Sequence, residues 1–106
     1  MAFTFKQNDT SPALQATLRD ANGLGVLLTG ATIRLHMVPL NGGTTLDKAM
    51  TIVNATQGIV RYNWVAGDTA TVGTYSIEFE VTYSDGSVET FPNNDNLVVV
   101  ITPELN

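Results

Sequence analysis

Glu78 and Glu80 stand two residues apart in the run 73–91, GTYSIEFEVTYSDGSVETF, and two carboxylates on one strand face invite a glycosidase reading. That chemistry needs one buried acid and a second carboxylate opposed to it across the scissile bond. Neighbours on an exposed face have neither property, so the pair is expected to meet Arg34 or Arg61 across strands instead. His36 is the only histidine, which rules out a histidine metal pair and leaves the serines with one base and no nucleophile-elbow motif. It alternates with Ile33, Leu35 and Met37, so a plain place on an outer face is expected. Cysteine is absent, which removes disulfides, zinc-thiolate sites and thiol nucleophiles together. Gly42-Gly43 lacks the lysine and helix of a phosphate loop and reads as a flexible connection.

Asp9, Asp20, Asp68, Asp85 and Asp95 all sit in turn contexts, where a carboxylate bonds neighbouring backbone amides. A calcium site assembled from two such loops is the competing reading, although no single loop carries the oxygen spacing that calcium asks for. Tyr62, Trp64, Tyr75 and Tyr83 would suit a carbohydrate-stacking platform. Each falls on the apolar phase of its strand, so core packing is the expectation. No catalytic residue, cofactor or metal ligand emerges, and the chain reads as a non-enzyme.

The elements that position these residues are strands. Tyr75, Ile77, Phe79, Val81 and Tyr83 alternate with Ser76, Glu78, Glu80 and Thr82, the period of a half-buried strand. Asp85-Gly86 predicts a two-residue hairpin loop, which would make Val81, Tyr83, Val88 and Thr90 paired inward positions. Similar short runs carry Phe3 and Phe5, Leu14 to Leu18, Ile33 to Met37, and Val60 to Trp64, while Val26 and Leu28 lie in a loop or short strand. The β-branched run Thr51-Ile52-Val53 favours a strand over a helix for residues 47–54. The stretch Pro92-Asn93-Asn94-Asp95-Asn96 breaks pairing before a last strand, Leu97 to Ile101. Seven or eight short strands predict an all-β fold, an immunoglobulin-like antiparallel β-sandwich. Tyr75, just inside a late strand after a tight turn, is the candidate tyrosine corner.

With 106 residues, of which 43% are hydrophobic and 14% charged, the chain is expected to form one domain over residues 1–106 and not a disordered tail. Ten acidic residues against five basic ones give a net charge of −5, the wrong sign for binding nucleic acid. MAFTFKQNDT carries no apolar run of signal-peptide or membrane-span length, so secretion by the usual route is not expected. The glycosylation tripeptides at Asn8 and Asn54 are then read as coincidence.

The ordered segments FKQNDTSPALQATLRDANG, LTGATIRLHM, GIVRYNWVAGDT and VGTYSIEFEVTYSDGSVETFPN resemble the N-terminal domain of the baseplate upper protein of tailed phages and its small stand-alone relatives. The resemblance implies an immunoglobulin-like sandwich serving as a structural or adaptor piece of a virion, with no catalytic residues to transfer. Because the sequence ends at Asn106 without a helical linker or receptor-binding module, the expectation is a small accessory subunit of baseplate, tail, neck or capsid. A receptor- or carbohydrate-binding module on the phage surface is the alternative. The expected partners are other phage structural proteins and further copies of the chain in a symmetric assembly, with neither nucleic acid nor membrane. Leu97-Val98-Val99-Val100-Ile101 is apolar on both faces, whereas one face of a sandwich meets water. Val98, Val100 and an open edge of that strand are therefore the candidate partner interface, by packing or strand addition; cover by another part of the chain is the competing reading.

Overall fold

The structure, a computed structural model, describes residues 2–92 and 97–105; Asp95 and the rest of the stretch 93–96 lie outside the described residues. Eight strands and no helix occur among the described residues: β1 (Ala2–Lys6), β2 (Leu14–Thr17), β3 (Thr32–Pro39), β4 (Leu46–Asn54), β5 (Ile59–Tyr62), β6 (Gly73–Thr82), β7 (Val88–Phe91) and β8 (Val98–Thr102). Val26 and Leu28 belong to a connection, with only an isolated bridge between Arg19 and Gly25 beside them.

The alternation along β6 organises the rest. Tyr75, Ile77, Phe79 and Val81 are buried, and the residues between them face out. Opposite residues in paired strands share a face, so the register of β3, from Thr32 opposite Thr82 to Pro39 opposite Tyr75, carries Ile33, Leu35 and Met37 inward. On its other edge β6 holds two strands end to end: β8 along Gly73–Ser76 and β7 along Phe79–Thr82. The hydrogen-bonded path runs β1-β8-β6-β3-β4-β5-β2. All pairs are antiparallel except β1 with β8, which is parallel.

The path turns over within β4. Leu46 to Met50 pair with β3, while Thr51 to Asn54 pair with β5 across a bulge between Ile52 and Asn54. A strand that bends at a bulge is how a chain changes layer. Leu14, Val60, Tyr62 and Trp64 thereby join one hydrophobic cluster with Phe79, Leu35 and Ile101. Phe5 meets Trp64 edge-to-face at 5.0 Å, and Tyr62 meets Trp64 at 5.4 Å. Close approach replaces side chains at Gly58, where a Cβ would lie 2.6 Å from the Leu18 carbonyl oxygen.

Two expectations are corrected here. The hairpin loop has three residues, 84–86: the Tyr83 amide donates to the Ser87 carbonyl at 2.8 Å and the Gly86 amide to the Tyr83 carbonyl at 2.9 Å. Gly86, at φ +89°, takes the left-handed position that follows the turn in such loops. One extra loop residue shifts the register by one and exchanges faces. Phe79 thus faces Phe91 and Val81 faces Glu89, whereas Val88 lies opposite Thr82 and Thr90 opposite Glu80. The last strand, in turn, has no open edge, because β1 and β6 occupy both of its sides. Strand addition to it is excluded.

The corrected register makes a sharp forecast. Phe91 is 4% exposed and Val88 57%, so Phe91→Ala is expected to cost about 3–5 kcal/mol and Val88→Ala under about 0.5 kcal/mol. Urea unfolding of the two variants checks this; comparable losses would restore the two-residue loop.

Candidate interaction face

The outer surface of the β1-β8-β6-β3-β4 layer collects the residues that alternate with the core. Register arranges them in rows. Ala2, Val98, Ser76 and Val38 form one row across four strands. Thr4, Val100 and Thr74 form the next, extended by Leu40, whose amide donates to the Thr74 carbonyl at 3.0 Å. Neither row contains a charged side chain. Val99 and Ile101 point into the core while Val98 and Val100 are half-buried on this face, so the two faces of β8 are apolar for different reasons.

The adjacent rows are charged. Glu78, His36 and Asp47 lie side by side, followed by Glu80, Arg34 and Ala49. Arg34 Nε donates to Asp47 Oδ1 at 2.7 Å and its terminal nitrogen to the Asp47 carbonyl at 3.1 Å. The Arg34 hydrogen bond holds the Asp47 carboxyl below the usual carboxylate range. His36 Nε2 comes within 3.4 Å of the same Asp47 oxygen. A shallow depression of about 230 Å³ opens between these rows, lined by His36, Val38, Thr45, Asp47, Ser76 and Glu78.

This geometry corrects the assignment of the glutamates. Arg34 stands opposite Glu80 in register but spends its donors on Asp47, and Arg61 lies in the other layer, opposite Gln15 and Thr51. Among the described residues Glu78 and Glu80 therefore form no ion pair. Asp47, the true partner, was hidden because its contact with Arg34 depends on the β3–β4 register.

Of the turn aspartates, Asp20, Asp68 and Asp85 hold loops through their carboxylates, whereas Asp9 is bonded through its backbone, its amide donating to the Lys6 carbonyl and its carbonyl accepting from the Thr69 hydroxyl. Asp20 Oδ1 accepts from the amides of Asn22 and Leu24, and Asp85 Oδ1 from the amide and hydroxyl of Ser87; the latter bonds lower the Asp85 carboxyl below its ordinary range. Asp68 Oδ2 accepts from the Val65 amide at 2.8 Å and from the Tyr62 hydroxyl at 2.5 Å. No group of three or more histidine or acidic side chains converges on a metal position among the described residues. Tyr62, Trp64 and Tyr75 are buried and Tyr83 is half-buried. The Tyr75 hydroxyl donates to the Thr71 carbonyl, four residues upstream, at 2.5 Å, which ties the start of β6 to the loop before it.

A family model, the BppU N-terminal domain, matches residues 2–96. The chain belongs to the BppU N-terminal domain family. The BppU match covers β1 through β7, so the rows contributed by β1, β3 and β6 lie inside it and β8 lies just beyond. The fold of this BppU-family chain is also similar to the crystal structure of CopC from Methylosinus trichosporium OB3b, with a TM-score of 0.55 and 14% identity over 97% of this chain and 85% of that one. At that identity the likeness speaks for the fold alone. No curated protein matches the chain in sequence.

Two measurements probe the tyrosine contacts. Burial and the Glu89 carboxylate push the Tyr83 phenol from its ordinary 10.0 up to about 12, and burial with Asp68 raises Tyr62 further. A phenol raised on folding stabilises the fold below its unfolded pKa, and that contribution is lost as pH rises through the folded value. Stability is therefore expected to fall between pH 10 and about 12, and tyrosinate absorbance at about 295 nm to lose its step near pH 12 in Tyr83→Phe. Tyr75→Phe, which removes a buried donor from the Thr71 carbonyl, is expected to lower stability by about 1–3 kcal/mol in thermal or urea unfolding.

Proposed function

We propose that this chain is a non-enzymatic structural or adaptor subunit of a tailed-phage virion, placed in the baseplate or a neighbouring part of the tail, and that it acts through protein contacts. The observation that carries this reading is the BppU N-terminal domain match over residues 2–96. The rows around Val98 and Val100 supply the contact surface: uncharged and built on paired strands, which hold a surface more rigidly than loops do.

The same reading treats residues 1–106 as one immunoglobulin-like unit. Its support is a single hydrophobic cluster drawing on both layers, with Tyr75 as the corner lock at the start of β6. The subunit is made in the bacterial host and repeats around the symmetry of the particle, so a modest contact is multiplied by simultaneous engagement. The carbohydrate-binding alternative is weakened because Tyr62, Trp64 and Tyr75 turn into the core, away from any ligand that would stack on them.

Mass spectrometry of purified particles tests the assignment directly, and the chain is expected among their structural proteins; its absence would end the virion reading. The double variant Val98→Thr/Val100→Thr is expected to melt like the parent while its uptake into particles falls. Loss of folding would instead make these two valines core residues.

A further inference from the structure

We infer that the face centred on Val98 and Val100 docks a different protein subunit, one that presents a basic side chain to Glu78 and Glu80, and not a second copy of this chain. The inference rests on the structural-subunit reading above and specifies the partner's chemistry.

Area comes first. Strands lie about 4.8 Å apart and same-face residues about 6.8 Å apart along a strand, so the two uncharged rows cover roughly 260 Å². A stable interface buries about 800 Å² on each side. The uncharged rows alone fall well short, and on the β6, β3 and β4 side the two charged rows continue the same face. Including those rows brings the contact to roughly 460 Å², so a stable contact spans both sets of rows and reaches past them. A docking subunit therefore covers Glu78 and the depression beside it.

Covering those carboxylates sets the partner's charge. Burying an unpaired carboxylate is costly unless a cation and hydrogen bonds replace its water. Within the chain, Arg34 is held by Asp47 through two hydrogen bonds, and no described basic side chain pairs with Glu78 or Glu80. The cation must come from outside. The depression lined by Ser76, Thr45, His36 and Glu78 offers hydroxyl and carboxylate acceptors beside the Val38 methyls, which suits an arginine or lysine whose aliphatic stem lies on Val38.

A second copy supplies the wrong sign. The same face carries Asp47, Glu78 and Glu80 against Arg34, already engaged, and Lys6 at the far corner on β1. The chain as a whole is at −5, so self-docking through this face sets acid against acid.

The test uses particles assembled with variant chains. Glu78→Lys is expected to reduce uptake about tenfold or more, while Gln15→Lys, on an exposed strand of the other layer, leaves uptake unchanged. Thermal unfolding of each purified variant confirms that both fold. A photocrosslinking residue at Thr4, at the rim of the uncharged rows, is expected to capture a different virion protein beside a lysine- or arginine-bearing segment. Crosslinks between two copies, or uptake of Glu78→Lys at the parental level, overturn the inference and leave the virion reading intact. Absence of the parental chain from particles overturns both.

Discussion

The strands of one layer take their facing from β6. It is bonded along its length to β3 on one side and to β8 and β7 in series on the other, and its side chains alternate strictly between core and surface. Since opposite residues share a face, the phase of β6 is transmitted to β3 and β8 and from them to β4 and β1. A slip of one residue would turn Phe79, Leu35 and Val99 out to water and bring Glu78 and Arg34 inside. The aromatic and aliphatic bulk on one phase of β6 makes that slip prohibitive, and this restriction keeps the uncharged rows and the charged rows of the outer face in fixed order.

The strands and their phases were legible in the sequence because the signal is local. Ile33, Leu35, Met37, Val60, Tyr62 and Trp64 all lie where alternation puts them, even though β5 stops at Tyr62 and Trp64 continues the phase outside it. What escaped depended on pairing between strands. Ser84-Asp85-Gly86 contains the same Asp-Gly signal as a two-residue loop, and only the Tyr83–Ser87 bond shows that a third residue joins the turn. The bend of β4 was invisible for a similar reason: Ile52, Val53 and Asn54 look like ordinary strand residues, and the bulge exists only relative to Val60 and Ile59.

The interaction face was half legible. Val98 and Val100 stood out because β8 is apolar on both phases, but Ala2, Thr4, Thr74 and Ser76 are unremarkable by themselves and become a surface only side by side. Thr4 and Val100 are neighbours in space and almost the full chain apart in sequence. The ion pairs were misassigned for the same cause. Glu80 is opposite Arg34 on one side, Asp47 is within reach on the other, and geometry favours the carboxylate whose own backbone carbonyl accepts a second bond from the guanidinium.

The parallel pairing of β1 with β8 has a mechanical side. Ala2 begins one strand and Thr102 ends the other, and because the two run the same way, a pull applied at those positions draws them in opposite directions along their shared edge. The load is then shared by the whole ladder at once, including the Gln7 amide to the Thr102 carbonyl at 2.8 Å and the Thr102 hydroxyl to the Phe5 carbonyl at 3.3 Å. Forced unfolding is governed by the unfolding barrier, and here the evenly spaced bonds of a parallel pair are sheared together and not peeled one by one. The seam between the first and last strands is thus a tension-bearing clasp: traction along the chain tightens the demand on all of its bonds before any one of them can yield.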